Sequence, residues 1–304
     1  LRGLGGFEKK LVVKQVLPEL ASDPRFVEMF VEEAKTLVQM SHPHIVPVYE
    51  LGVVDGVYFL AMEFVDGATL AEVLSDGALP PTLAAHLGLH VSEALSYAHE
   101  RFELVHRDVT PRNIIIDALG HVRLLDFGIA AKAEGSLEGE IFGSHGYMSP
   151  EQALGKSVDP NSDMFSLGAV LYEALTNLPA FLKRSADETR TALLEGLAPT
   201  LADHEGVPDG LSRVVDDCLA RAPEDRPQTA KAVGRRLRTF LAAEAPEGVG
   251  PELGERAEAA IEERSRRPSR RPASLEGPTN PEGVVQTIAT SDAEADPRRR
   301  GYRP

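Results

Sequence analysis

Asp108 and Asn113 stand five residues apart in V-H-R-D-V-T-P-R-N (Val105–Asn113), and Asp126 follows thirteen residues after Asn113 in L-D-F-G (Leu125–Gly128). A carboxylate can accept a proton, and carboxylate and amide oxygens together suit a hard cation, which takes oxygen ligands. Either stretch alone is weak: H-R-D arises by chance, and D-F-G is also what a turn after a strand looks like. Their order and their spacing carry the signal.

The bulk of the chain bounds what surrounds these residues. Its 304 residues suffice for a large core and one or two domains. With 47 acidic against 32 basic residues the formal net charge is −15, which argues against nucleic acid as the main partner. One cysteine, Cys218, excludes an internal disulfide and any multi-cysteine zinc site. No apolar run has the length of a membrane helix and no leader-like segment opens the chain, so no membrane span and a cytoplasmic location are expected. The chain begins at Leu1 rather than Met, and reads as a fragment or as a chain without its natural start.

Hydrophobic periodicity supplies the elements that must position the chemistry. Leu11–Leu17 is β-branched and apolar, a buried strand. Asp23-Pro24 opens a helix to about Met40 with Phe26, Phe30, Ala34, Leu37 and Val38 on one face. His42 and His44 have the look of an H-x-H metal pair, but Pro43 between them and the lack of a nearby third ligand favour structural roles. Two strands, Ile45–Val54 and Val57–Phe64, meet at Asp55-Gly56, a hairpin signal. Thr82–Phe102 is a long buried helix that delivers the Asp108 loop. A short hairpin, Ile114–Ile116 and Val122–Leu125, sets Asp126 beside Asn113. Asn161–Thr176 is apolar on nearly every face and reads as a central buried helix. After about Ala243, Pro, Glu, Arg, Ser and Gly dominate, and the expectation is a disordered tail with basic knots at Arg264–Arg271 and Arg298–Arg300.

The H-R-D-x-x-x-x-N and D-F-G stretches, from about Leu11 to about Ala243, resemble a bacterial protein kinase of the Ser/Thr type. The resemblance implies an α+β, two-lobed kinase fold in residues 1–243. An incomplete β-rich small lobe would occupy 1–66, a larger helical lobe 67–243, and the disordered tail 244–304. It implies ATP and Mg2+ as cofactors and proteins as substrates, with autophosphorylation in trans a further expectation. Asp108 would accept the proton of the incoming hydroxyl, and Asn113 and Asp126 would hold magnesium against the phosphates. Lys14 would grip the α- and β-phosphates and pair with Glu33, with Glu32 its solvent-facing competitor. Met62 would be the gatekeeper, and the backbone of Glu63 and Val65 would bond the adenine edge. Asp163 would tether the catalytic loop. Glu151 of S-P-E would pair with Arg226 of P-E-D-R-P, a buried bridge whose rupture costs about 3–5 kcal/mol.

Some positions depart from the family pattern. Thr110 stands where a lysine usually contacts the transferred phosphate, and Ser144 where a threonine precedes the substrate-binding loop. Arg107 before Asp108 is the arrangement associated with control by an activation-segment phosphate, yet Ile129–Phe142 offers one hydroxyl, Ser136, among Glu134, Glu138 and Glu140. In the tail, Ser269, Ser274, Thr287 and Thr290 are candidate autophosphorylation sites. Gly3, Gly5 and Gly6 lack the G-x-G-x-x-G spacing, and eight residues from Gly6 to Lys14 leave too little chain for a covering hairpin. Without that loop, phosphate binding would weaken by roughly 3–9 kcal/mol, so the 304 residues as written are expected to be impaired. The alternatives are a pseudokinase scaffold and, behind it, a small-molecule kinase of the aminoglycoside-phosphotransferase kind.

Overall fold

The computed structural model describes residues 9–16, 18–127, 144–195, 200–202, 204–266 and 285–289, the last as backbone. Strand β1 (Leu11–Val16) carries Lys14. One helical turn, α1 (Pro18–Ala21), precedes α2 (Pro24–Gln39). Helix α2 starts where it does because the Asp23 carboxylate accepts the Arg25 N–H at 2.9 Å and Pro24 occupies a position that needs no amide. It turns Phe26, Phe30, Glu33, Ala34 and Leu37 inward. Val38, expected on that face, is 41% exposed. It stands a single residue beyond Leu37, which is about 100° around the helix.

Strands β2 (Val48–Val54) and β3 (Val57–Glu63) pair antiparallel, and β1 lies against the other edge of β3 with Lys14 opposite Leu60. Asp55 and Gly56 both have positive φ, 51° and 81°, the left-handed pair that a two-residue hairpin with this twist requires.

The large lobe opens with β4 (Gly67–Thr69) and α3 (Leu70–Val73), where Thr69 and Glu72 form a reciprocal capping box. Helix α4 (Pro81–Phe102) follows, then β5 (Ile114–Asp117) and β6 (Val122–Leu124). Strands β4, β5 and β6 make a small antiparallel sheet in that order. The helical remainder is α5 (Pro150–Ala153), α6 (Pro160–Thr176), α7 (Ala186–Glu195), α8 (Asp209–Cys218) and α9 (Ala230–Glu244). As its composition implies, α6 is buried on nearly every face, Met164, Phe165, Leu167 and Leu171 included. Its Gly168 lets α8 come close: a Cβ there would sit 2.8 Å from that of Cys218. Cys218 is wholly buried, and burial pushes its thiol up to about 12.

Regular structure continues past the boundary that composition implied. A further helix, α10 (Gly250–Arg266), lies against the large lobe, so residues 244–304 are not one unstructured segment. Leu253 and Ala257 are fully buried. Gly254 rides so close to the β5–β6 turn that a Cβ would lie 2.3 Å from the Ala118 carbonyl oxygen. This face is built from small residues, whose contribution is close approach rather than hydrophobicity, and composition therefore hid it. Arg256 reaches Asp76 at 3.6 Å. Strand β7 (Val285–Ala289) pairs antiparallel with the free edge of β1, giving the order β2-β3-β1-β7. Among the described residues no helix is long and apolar enough to cross a membrane.

Candidate active site

The loop between α4 and β5 owes its shape to one buried carboxylate. Asp163, in the first turn of α6, accepts the His106 N–H and the Arg107 N–H, each at 2.8 Å, and lies 2.7 Å from His99 Nε2. Arg107 has a φ of 68°, a left-handed conformation that a non-glycine residue holds only when its neighbours fix it. The Asp163 bonds, with the Gln152 side-chain amide donating to the Arg107 carbonyl at 2.8 Å, do so. His106 is fully buried, and its Nε2 lies 2.9 Å from the Leu125 carbonyl, joining this loop to the Asp126 turn. Asp108 is thereby held at the loop apex. Asn113 donates from Nδ2 to the Asp108 carboxylate at 2.7 Å and to its carbonyl at 2.9 Å.

The structure brings Lys14 and Asp126 to one cleft, and the Asn113 carbonyl accepts the N–H of Leu125, the residue before Asp126, at 2.8 Å. Asp126 also has a positive φ, 52°, and its carboxylate lies 3.0 Å from Lys14 Nζ. The resemblance implied that Lys14 pairs with Glu33. Glu33 is buried on the inner face of α2, and Lys14 makes an ion pair with Asp126. The turn at Asp126 aims its carboxylate back at the lysine, which sequence spacing does not reveal. The commitment of Asn113 Nδ2 to Asp108 leaves Oδ1 for a cation. With the Asp126 carboxylate this is an all-oxygen donor set that fits Mg2+.

The cleft, of about 220 Å3, is lined by Val12, Lys14, Met62, Phe64 and Val65 from the small-lobe side and by Ile115, Leu125 and Asp126 from the other. Apolar walls above and below with backbone at one end suit a flat heterocycle. Met62 is buried at the back. The Glu63 side chain is tied to Arg123 at 2.7 Å and to Tyr49 at 2.9 Å, and its amide donates to the Pro47 carbonyl at 3.0 Å. Any contact of Glu63 with an adenine edge therefore falls to its carbonyl. These bonds hold the Glu63 carboxyl below the usual range in spite of the burial that pushes it up.

Glu151 and Arg226 meet as expected. Arg226 donates bidentately, Nη1 to Oε1 at 2.7 Å and Nη2 to Oε2 at 2.9 Å. Its remaining N–H groups go to the carbonyls of Ala220, Arg221 and Asn161, and the Ser162 hydroxyl donates to Glu151 at 2.6 Å. Burial pushes the Glu151 carboxyl up, but the bonds from Arg226 and Ser162 outweigh it and hold the group at about 2.

The sequence pattern of the protein kinase domain matches residues 7–237. The chain belongs to the protein kinase family. It is 38% identical over 258 residues to tyrosine-protein kinase MasK of Myxococcus xanthus, with 79% of this chain and 40% of that protein covered. Serine/threonine-protein kinase PknB of Mycobacterium leprae is 37% identical over 249 residues, covering 79% of this chain and 40% of that one. PrkC of Bacillus subtilis is 32% identical over 242 residues, covering 78% and 37%. The chain thus spans about 40% of the length of the curated relatives it matches. The kinase domain of Mycobacterium tuberculosis PknI superposes with a TM-score of 0.61 at 27% identity, covering 77% of this chain and 87% of that one. The two-lobed fold is therefore that of the family.

Other expected site residues of the kinase domain are placed less centrally. Thr110 is 4% exposed, and its carbonyl accepts the Asn113 N–H at 3.0 Å. Ser144 opens a 3-10 turn, Ser144–Tyr147. Ser136 and Gly3–Gly6 lie outside the described residues. Arg107 Nη1 is buried without a hydrogen-bond partner among the described residues. One pocket residue was missed. Arg264, near the end of α10 and beyond the family match, lines the cleft and donates toward Glu72 at 3.2 Å and the Gly67 carbonyl at 3.4 Å. A signal for it existed: Leu253, Ala257 and Ile261 recur every four residues in a segment otherwise rich in charge.

Proposed function

We propose that this domain transfers the γ-phosphate of ATP to serine or threonine hydroxyls of protein substrates. The observation that carries the reading is the Lys14–Asp126 contact in a largely apolar cleft, next to a loop in which Asn113 is bonded to the very carboxylate that would act as base. Asp108 takes the proton of the incoming hydroxyl as the bond to phosphorus forms. Lys14 turns from Asp126 to the α- and β-phosphates. Asn113 and Asp126 would hold Mg2+, which supplies neutralisation of the phosphate oxygens. Arg107, with a buried and uncommitted guanidinium N–H, is suited to accept a phosphate or a carboxylate of the activation segment. The cytoplasm, where ATP is abundant and a lone thiol stays reduced, suits such an enzyme. Autophosphorylation in trans is part of the proposal.

Intact-mass analysis after incubation with ATP and magnesium, with a generic basic protein as second acceptor, tests it. Asp108→Asn should lower transfer by about 10²–10⁴-fold while leaving nucleotide binding in place. Phosphoserine and phosphothreonine are expected in the product. Phosphotyrosine alone would instead assign the acceptor that the name of the Myxococcus relative carries. Nucleotide binding with no transfer would leave a binding module with the kinase fold.

A further inference from the structure

Outside the cleft lining, three donors meet that the reaction does not use. His44 lies between α2 and β2, and His90 and Glu93 lie on α4. A ring nitrogen of each histidine and a carboxylate oxygen of Glu93 all lie within 4.8 Å of one another. The pair expected from sequence, His42 with His44, had no third ligand; the fold supplies two from α4, and His44 rather than His42 faces them.

Three local facts mark this group as more than a stack of imidazoles. First, His44 Nδ1 lies 2.9 Å from the Val122 carbonyl. A carbonyl only accepts, so Nδ1 carries a hydrogen, and Nε2 is the nitrogen left to face a ligand. That nitrogen faces Glu93 Oε2 at 3.5 Å. A ring nitrogen this close to a carboxylate oxygen needs a positive charge between them, a proton or a metal ion. Second, His90 Nδ1 is buried and has no hydrogen-bond partner among the described residues, although its ring stacks on His44 with centroids 4.1 Å apart. Buried polar atoms are nearly always satisfied, so this nitrogen is open to a water or an ion. Third, Arg238 of α9 donates to Glu93 Oε1 at 2.5 Å, which fixes the carboxylate with Oε2 turned toward His44. A backbone carbonyl behind an imidazole and a cation behind a carboxylate are the outer partners that orient metal ligands.

We propose that His44, His90 and Glu93 form a site for a divalent transition-metal ion, zinc foremost. Imidazole and carboxylate suit zinc and exclude magnesium as the preferred ion. At Zn–N and Zn–O distances of about 2.0–2.2 Å, ligand atoms of a tetrahedral site stand about 3.3 Å apart, so binding requires the His90 ring to turn out of its 12° stack on His44 and the donors to draw in from within 4.8 Å. Water takes the fourth position. The bound ion would cross-link the segment that follows α2 to α4, and so tether the Glu33-bearing helix to the large lobe from behind. The site is independent of the phosphotransfer reading.

The test is zinc content and affinity of the untagged chain after removal of loosely held metal, with cobalt as a spectroscopic substitute. About one equivalent of zinc is expected, with cobalt visible bands of a four-coordinate nitrogen–oxygen site and a rise in melting temperature. His90→Ala and Glu93→Gln should each weaken zinc by at least about tenfold. His121→Asn, which removes an exposed imidazole nearby, should leave it unchanged. Glu93 is partly exposed, so Glu93→Gln keeps the test open should His90→Ala not fold. A chain that retains no zinc would overturn the proposal, since a second proton on His44 would then account for the contact. So would zinc held equally by both ligand variants, or lost with His121→Asn.

Discussion

Two acid–base pairs in this molecule look alike on paper and are built for opposite ends. Lys14–Asp126 is a single contact at 3.0 Å with side chains 23% and 30% exposed. Glu151–Arg226 is bidentate, the arginine side chain 0% exposed, with every remaining guanidinium N–H committed to a carbonyl. The first pair sits in a cleft, gains little from its Coulomb attraction in water, and can trade partners when phosphate arrives. The second has no water to fall back on, so neither partner can leave. The difference teaches where the fold keeps its rigidity: in the floor of the large lobe, behind the site rather than in it.

That contrast can be broken at four points, in falling order of effect. Arg226→Ala should cost about 3–5 kcal/mol in urea unfolding, because Glu151 is left buried and unpaired, whereas replacing both partners by leucine and methionine should recover most of it. An Arg226→Ala chain as stable as its parent would refute the architectural role. Acid should act on the same pair. Glu151 titrates near 2 in the fold, below an ordinary 4.5, so its contribution is complete above the ordinary value and fades as pH falls toward 2. The loss is on the order of 3 kcal/mol and should vanish from the pH dependence of Glu151→Gln. Arg264→Ala should weaken ATP binding about tenfold with little change in melting temperature; unchanged affinity would remove α10 from the nucleotide site. Lys14→Met should change unfolding free energy by less than about 1 kcal/mol while transfer collapses, and a large loss of stability would erase the distinction between the pairs.

The parts of this kinase that could be read from sequence are those whose cause is local. Helices α2, α4 and α6 follow from periodicity with an Asp or Pro at the start, and the β2–β3 hairpin from Asp55-Gly56. The Asp108–Asn113–Asp126 set was legible because one short loop and one short hairpin fix their spacing. The contact of Lys14 with Asp126 was not, since it depends on the φ of Asp126. Arg264 was missed because α10 buries Leu253 and Ala257 through glycine-spaced close contact, a surface whose average composition reads as solvated. His90 and Glu93 become neighbours of His44 only when α4 crosses behind the small lobe.

The single thiol of the chain, Cys218, gives the large lobe a built-in clock. Packed against Gly168 between α6 and α8, with its ionisation suppressed, it cannot meet a thiol reagent until those helices part. The labelling rate is then the opening rate multiplied by the chance of capture, and at low reagent it counts the population of the open form. Because the sulfur stands far from Lys14 in the fold's connectivity, ligands that tighten only the cleft should leave that clock running at its old pace, and those that grip the whole domain should slow it.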